Sequence, residues 1–343
     1  MSFWSKTVYG LNILFSALLF LACVVPYTKS ASLSFLSLTV PLLVLVNLLF
    51  LLYWLMVSPK RVWLSFTVLA VGYFVLGSFV QFNSMDKSAS ENVLKVMSFN
   101  IQGFEGHPTE MTRPNIQVFE DFIQNQNPDI ICFQEFGYRR IWKKLFVNYP
   151  YRFINRQKYS KEAGVLMAIY SKYPIVDKGN INFPNSGNGA SYVDVLYNKD
   201  TVRVYNLHLE SLKVRPRSIK RERSDRLLGR LRNSFAKQQE QADLIRNHMD
   251  LVNYKKIVCA DFNNTQYSYA YNAVKNDMKD SFEEKGFGYG RTINFWKFPL
   301  RIDFILTDPG IEVLEHENYN VKLSDHEPIM ATLRIGADKE AVR

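Results

Sequence analysis

Hydrophobic and polar positions divide the 343 residues into two parts before any motif is read. Residues 11–27, 33–57 and 62–82 are apolar stretches without a single charged side chain, separated by joints at 28–32 and 58–61. Crossing the hydrocarbon core takes about 20 apolar residues as a helix. The second and third stretches exceed that, and the first, at 17 residues, approaches it. Lipid offers the backbone no hydrogen-bond partner, so the pattern predicts three transmembrane helices, and the short joints predict antiparallel hairpins. Trp4, Tyr9, Tyr27, Tyr53, Trp54 and Trp63 fall near the ends, where amphipathic rings favour the headgroup zone. Pro41 and Asn47 interrupt the second stretch and read as a kink and a helix–helix contact.

Beyond a polar linker at 83–92 the period changes. Short apolar runs at 93–99, 129–133, 165–170, 192–197, 202–207, 256–260, 302–306 and 329–335 read as strands separated by polar, Gly- and Pro-marked segments. Helical patterns fall at 115–125, 224–249 and 269–276. Strands follow one another both with and without an intervening helix, which predicts an α/β domain with mixed sheets over 93–335 and a short tail at 336–343. About 250 residues suffice for a two-sheet core.

Charge follows the same division. Residues 1–82 carry Lys6, Lys29, Lys60 and Arg61 and no acid, so all 32 acidic residues and the other 38 bases lie beyond them. Uncharged spans exclude an ion or proton pathway and leave a multi-pass anchor. Placing Lys6, Lys60 and Arg61 in the cytoplasm satisfies the positive-inside rule. Three spans then put the α/β domain on the extracytoplasmic side, periplasmic in a bacterium. Cys132 and Cys259 sit in apolar runs and read as packing thiols, with no metal-binding cysteine spacing.

Candidate chemistry collects where the apolar runs stop. They end in Asn100, Glu135, His208 and Asp261, with Asn263 two residues further; Asp303 lies inside Arg301-Ile302-Asp303-Phe304-Ile305, and Asp325-His326 precedes Pro328. Each has an ordinary structural reading. Asn100 and Asn263 suit turns, His208 a core position, Asp261 a helix cap, Asp303 a salt bridge, and Asp325 a turn cap. A carboxylate set in apolar sequence is costly unless paired or bound to a cation. Taken together, oxygen and imidazole donors favour Mg2+, with Mn2+ or Ca2+ as alternatives, over zinc.

The ordered set Ser98-Phe99-Asn100-Ile101-Gln102, Phe133-Gln134-Glu135, residues 164–171, Asn206-Leu207-His208-Leu209, Asp261-Phe262-Asn263, the Asp303 run and Ser324-Asp325-His326-Glu327-Pro328 resembles the endonuclease/exonuclease/phosphatase superfamily. The resemblance covers residues 93–335 and implies a four-layer α/β sandwich with its active site at one edge of two packed sheets. It implies that Glu135 is the main Mg2+ ligand, with Asn100 beside it and Asp325 across the metal cluster. It implies that His326, held by Asp303, contacts the phosphate or activates water, that Asp261 orients or deprotonates the nucleophile, and that Asn263 and His208 hold phosphate oxygens. Gln102 stands where some members carry an acidic ligand, and Ala260 where a glycine is common.

Residues 213–232 hold nine bases against two acids, a surplus of seven where all of 83–343 has a surplus of six. The segment, including Arg215 and Arg217 as candidate substrate contacts, reads as a solvated helix face, an anionic-headgroup contact or a nucleic-acid clamp. The sequence therefore predicts a membrane-anchored, metal-dependent phosphoesterase. Its expected partners are the bilayer and a lipid or nucleic-acid phosphate ester, with no protein partner. An extracytoplasmic nuclease and a catalytically silent tethered domain are the alternatives.

Overall fold

The computed structural model describes residues 3–83, 92–104, 113–137, 142–155, 166–214, 223–295 and 298–336. Arg215 and Arg217, most of the expected linker and all but the first residue of the expected tail lie outside them.

Two six-stranded mixed sheets form the centre. One has the order β15 (Ile311–Asn318), β16 (Ile329–Ile335), β2 (Leu94–Asn100), β3 (Ile130–Gln134), β5 (Ala168–Ser171), β4 (Tyr151–Ile154). The other has the order β10 (Lys279–Asp280), β14 (Asp303–Thr307), β9 (Lys255–Asp261), β8 (Asp200–His208), β7 (Gly189–Tyr197), β6 (Ile175–Asn182). β2–β3 and β8–β9 are the parallel pairs, and the other neighbours are antiparallel.

Period-two alternation sorts each strand between two cores. Leu94, Val96, Ile130, Cys132, Val202, Val204, Ile257, Cys259 and Ile305 fill the seam between the sheets. On the outer face of the first sheet, Met97, Phe99, Ile131 and Phe133 pack against Phe119, Phe122 and Ile123 of α4 (Arg113–Gln126). On the outer face of the second, Leu207, Val258, Ala260 and Phe304 meet Ala242, Ile245 and Met249 of a long helix (Ser224–Asp250) and Ala270 and Val274 of a shorter one (Tyr269–Lys275). The result is helix, sheet, sheet, helix, the four layers expected.

The eight expected strands and three expected helices form within a few residues of their predicted bounds. Among the described residues, four strands of these two sheets were not expected, β4, β6, β10 and β15, and they are the four sheet edges. An edge strand faces water, so β6 carries Asp177, Lys178 and Asn180 and β15 carries Glu312, Glu315 and Glu317 where alternation would otherwise show.

The N-terminal region corrects the sequence reading. Among the described residues, two segments are long and apolar enough to cross a membrane, Phe3–Tyr27 and Phe35–Val57. They contain α1 (Phe3–Ala22) and α2 (Phe35–Val57). The third expected span fails. α3 (Val62–Leu76) has 15 residues, about 22 Å of helix, and Gly77 ends it at φ +81, a conformation that favours glycine. Gln81–Phe82, counted above in that span, forms β1 and pairs with β11 (Phe287–Gly288) of the α/β domain.

A buried polar network ties the three helices. Asn12 donates to Ser16 and Ser65, Ser16 donates to Asn47, and the Trp54 indole donates to Asn12. Asn47 is thus the helix–helix contact its position implied.

The bundle also docks on the α/β domain through α2. Pro41 has no amide hydrogen, so the Ser37 carbonyl one turn earlier lacks its helical donor. Thr265 Oγ1 supplies one at 2.8 Å, while Ser37 Oγ donates to Asn264 Oδ1 at 2.9 Å. Gln239 donates to Ser34 Oγ, and Phe35 meets Phe235 edge-on.

Two outcomes are expected. Burial pushes His316, bonded to Ser281 Oγ at 2.7 Å, down to about 4. A depressed histidine binds its proton more readily in the unfolded chain, so its contribution is full above pH 6.5 and is lost as the pH falls towards 4. Thermal melts of the full chain in detergent should show a loss approaching about 3 kcal/mol over that window, and His316→Asn should flatten it; parallel profiles would rule the group out. Thr265→Val keeps the shape and orphans the Ser37 carbonyl, so the same melts should record a loss of about 1–3 kcal/mol.

Candidate active site

The site is where the inward rows of the seam run out of apolar residues. In β2 the row is Leu94, Val96, Ser98, Asn100; in β3 it is Ile130, Cys132, Gln134; in β8 it is Val202, Val204, Asn206, His208; in β9 it is Ile257, Cys259, Asp261. β14 runs the other way, so its first residue, Asp303, lies at the same edge. The registers place Asn100 opposite Gln134, and Asp261 opposite both His208 and Asp303.

Beneath the floor a polar belt joins the two sheets. Gln134 Nε2 donates to Ser98 Oγ and Asn206 Oδ1, and Asn206 Nδ2 donates to the carbonyls of Phe133 and Ala168.

Asp261 is fully buried at the centre. Its Oδ2 accepts from Asn100 Nδ2 at 2.8 Å, and its Oδ1 from the Asn263 amide at 2.8 Å. His208 Nε2 stands 3.5 Å from Oδ2 and His326 Nε2 3.9 Å. His326 Nδ1 lies 2.9 and 3.1 Å from the two oxygens of Asp303. Thr292 Oγ1 in turn takes the Ile302 and Asp303 amides.

Burial alone would lower the His326 imidazole; the Asp303 carboxylate, and after it Asp261, outweigh that and raise it to about 10. Burial raises the Asp303 carboxyl to about 6, still below neutrality. The pair is imidazolium against carboxylate, with Nδ1–H committed to Asp303 and Nε2–H turned towards Asp261 and the cleft.

Above this floor opens a cleft of about 720 Å3. His208, His326, Asn263, Glu135, Gln102 and Asp325 line it. Glu135, Gln102 and Asn263 all have left-handed backbones (φ 49, 48 and 49), an uncommon conformation for such residues that recurs at functional sites. The Gly103 amide on the Glu135 carbonyl and the Ile101 amide on the Gln134 carbonyl hold the turn beneath Glu135. Gln102 Nε2 donates to Asp325 Oδ2 at 3.1 Å. His208 is buried, and neither ring nitrogen has a hydrogen-bond partner among the described residues; Glu135 Oε1 stands 3.6 Å from Nε2.

Eight of the ten sequence-predicted site residues therefore meet at one seam edge, and Arg215 and Arg217 lie outside the described residues. One position needs a finer statement. Asn100 points its amide at Asp261 and its Oδ1 takes the Gln102 amide, so it holds a neighbouring carboxylate. The acid and imidazole atoms closest together belong to Asp261, Asp303 and His326, all within 4.8 Å of one another. That trio is already internally bonded through Asp303 and His326. Glu135 and Asp325 instead offer carboxylate oxygens at the cleft surface, the hard donors that suit a divalent cation. Sequence reasoning missed Asn188, beside the Gly189–His208 register pair, although it too is a polar residue at a strand end. It also missed Leu38 and Thr39 of α2 and the β12 (Ile293–Phe295) and β13 (Phe298–Leu300) hairpin, for which the sequence carries no signal.

The sequence profile of the Endonuclease/Exonuclease/phosphatase family matches residues 97–326, two thirds of the chain and all eight of the predicted residues that meet here. The chain belongs to that family. A second profile, a domain of unknown function (DUF8431), matches residues 5–79. Comparison with curated proteins gives no match. Solved structures share the fold. An endonuclease/exonuclease/phosphatase from Bacteroides vulgatus is 18% identical with TM-score 0.54, covering 72% of this chain and 100% of that one. The human nocturnin catalytic domain with bound sulfate is 15% identical with TM-score 0.56, covering 71% and 95%. D. rerio TDP2 complexed with a single-strand DNA product is 14% identical with TM-score 0.53, covering 71% and 100%. Members of the family are phosphodiester hydrolases or nucleases and generally use divalent metals.

Asn100→Ala should expose the role of the central carboxylate. It removes a donor from the buried Asp261 and the acceptor of the Gln102 amide, and loss of about 2–3 kcal/mol is expected in thermal melts. An unchanged melting temperature would show that Asp261 does not depend on this bond.

Proposed function

We propose that this chain is a membrane-anchored, divalent-metal-dependent phosphodiesterase that hydrolyses its substrate by direct attack of water. The observation that carries the reading is the convergence of Asp261, Asn263, His208 and the Asp303–His326 pair beneath a cleft whose surface carboxylates are Glu135 and Asp325. Maintaining so many buried polar groups is costly for a tethered binding domain, which has no use for them.

Each residue has a task that follows from its geometry. Glu135 and Asp325 are the residues to hold Mg2+ or Mn2+, which supplies neutralisation of charge on the phosphoryl oxygens. His208, whose ring nitrogens have no hydrogen-bond partner among the described residues, and Asn263 bind non-bridging oxygens. Asp261, acceptor-only and aimed between the two imidazoles, orients the water and takes its proton. His326, kept protonated by Asp303, donates Nε2–H to the phosphoryl group or the leaving oxygen. In the balanced step the water oxygen bonds to phosphorus, one P–O ester bond breaks, and the departing alkoxide leaves as an alcohol beside a phosphomonoester.

The anchoring rests on α1 and α2. Only 33% and 22% of their most apolar windows are buried, so their apolar faces point outward, unlike the core helices of a soluble protein. Exposed apolar surface on that scale calls for a lipid environment. Lys6, Lys60 and Arg61 lie at the far end of the hairpin from the α/β domain, and Lys29, at the near end, pairs with Asp243. The positive-inside rule then favours an extracytoplasmic active site, with α3, short as it is, carrying the chain back from Arg61 within the bundle. A second reading, a nuclease, is favoured by the basic run and by Lys213, which lines the cleft.

The test is turnover of bis-p-nitrophenyl phosphate by the full chain in detergent, with and without Mg2+ or Mn2+. Metal-dependent hydrolysis is expected, falling by about 10²–10⁴-fold in both Glu135→Ala and His326→Ala. Turnover that ignores metal or survives both substitutions would overturn the assignment.

A further inference from the structure

We propose that the cleft takes an amphiphilic phosphodiester, a phospholipid, drawn directly from the bilayer along helix α2. The proposal rests on the phosphodiesterase reading above and names its substrate class.

The cleft is two-sided. Beside the polar groups its lining includes Leu38 and Thr39 from the first turns of α2, and Ile293, Phe298 and Leu300 from the β12–β13 hairpin. A catalytic wall made from a helix long and apolar enough to cross a membrane puts the reacting phosphate beside the place where that helix enters lipid.

Leu38 continues into a track. At 100° per residue, positions 38, 42, 45, 49 and 52 fall within a sector of about 80° on one face of α2. Leu42, Leu45, Leu49 and Leu52 on that face are 43%, 50%, 57% and 50% exposed. The bundle-facing side chains, Val40, Leu43, Asn47 and Trp54, lie on the other side of the helix and are buried. The open apolar row thus starts at the cleft and runs away from it down the helix, the path an acyl chain would follow.

The helix is fixed against the catalytic loop. Pro41 frees the Ser37 carbonyl, Thr265 takes it, and Ser37 Oγ bonds Asn264. Asn264 and Thr265 directly follow the Asp261-Phe262-Asn263 segment, so Leu38 has a set position relative to Asp261. On the open flank, Lys213 lines the cleft and can meet an anionic headgroup. A nucleic-acid strand has no acyl chain to place against Leu38 and Phe298 and would leave that wall dry and unused. With a phospholipid, one product of the balanced step, the apolar alcohol or phosphomonoester, stays in the bilayer and the polar one leaves into water.

The experiment uses the full chain in phosphatidylcholine nanodiscs with Mg2+. Long-acyl phosphatidylglycerol, phosphatidylethanolamine, phosphatidylinositol and sphingomyelin are each compared with a water-soluble short-chain version. Bis-p-nitrophenyl phosphate and a single-stranded oligonucleotide are run beside them. At least one long-chain lipid should exceed its short-chain version in kcat/KM by about tenfold or more, the effect of burying roughly two methylenes. Leu38→Gln and Phe298→Ser, on two different elements of the apolar lining, should each shrink that long-to-short ratio several-fold, a readout that a general loss of folded protein does not move. The proposal is overturned if no long-chain lipid outruns its short-chain version, if the oligonucleotide is the better substrate, or if neither substitution changes the ratio. Absence of turnover on every substrate, bis-p-nitrophenyl phosphate included, would instead sink the phosphodiesterase reading and this inference with it.

Discussion

The structure turns on the burial of one carboxylate. Asp261 sits with no exposed surface at the end of a strand whose preceding inward residues are Ile257 and Cys259. An ion there is tolerable only if its neighbours answer for it. They do so from several separate elements: Asn100 from the facing sheet, the Asn263 amide from its own turn, His208 from the parallel neighbour, and His326 from the loop before β16. His326 in turn is held by Asp303 from the antiparallel neighbour. Once the two sheets pack, each of these groups reaches the carboxylate only at this edge. The same packing that closes the apolar seam therefore assembles the chemistry.

The supporting belt explains why the assembly can be rigid. Gln134 and Asn206 occupy the row positions just below the site and bond across the seam to each other and to backbone carbonyls. They turn the last layer of an apolar core into a hydrogen-bonded platform. Directional hydrogen bonds of this kind fix one relative placement of the sheets, where interdigitated aliphatic side chains alone would tolerate small slips. The left-handed backbones at Gln102, Glu135 and Asn263 then turn three side chains up into the cleft from that platform.

The N-terminal helices belong to the same argument and are more than a tether. A missing amide hydrogen at Pro41 creates an acceptor at Ser37, and the catalytic loop fills it through Thr265. The polar network of Asn12, Ser16, Asn47 and Ser65 passes that constraint on to α1 and α3. β1 adds a second attachment by pairing with β11. An apolar helix end fixed beside a charged cleft is the physical basis for the proposal that the cleft serves the bilayer.

The amino-acid order by itself determined the two-part chain, the mixed α/β domain, the central strands and the residues at their ends, because apolar period two and uncharged helical stretches are local properties. It also carried the motif set that the fold unites, from Asn100 to His326. It misplaced the third span, since Val62–Phe82 is uncharged throughout and hydropathy alone does not distinguish a helix that stops at Gly77 from one that continues; the pairing of Gln81–Phe82 with a distant strand decided that. It left out the edge strands, whose outward residues are polar because one flank meets water. It read Asn100 as a metal neighbour, and only the approach of the second sheet turned its amide to Asp261. It gave Pro41 a kink and gave Leu38, Thr39, Asn264 and Thr265 no role. Those depend on contacts more than 200 residues apart in the chain. Local pattern reports which surfaces must be buried, and only packing in three dimensions chooses the partner that buries them.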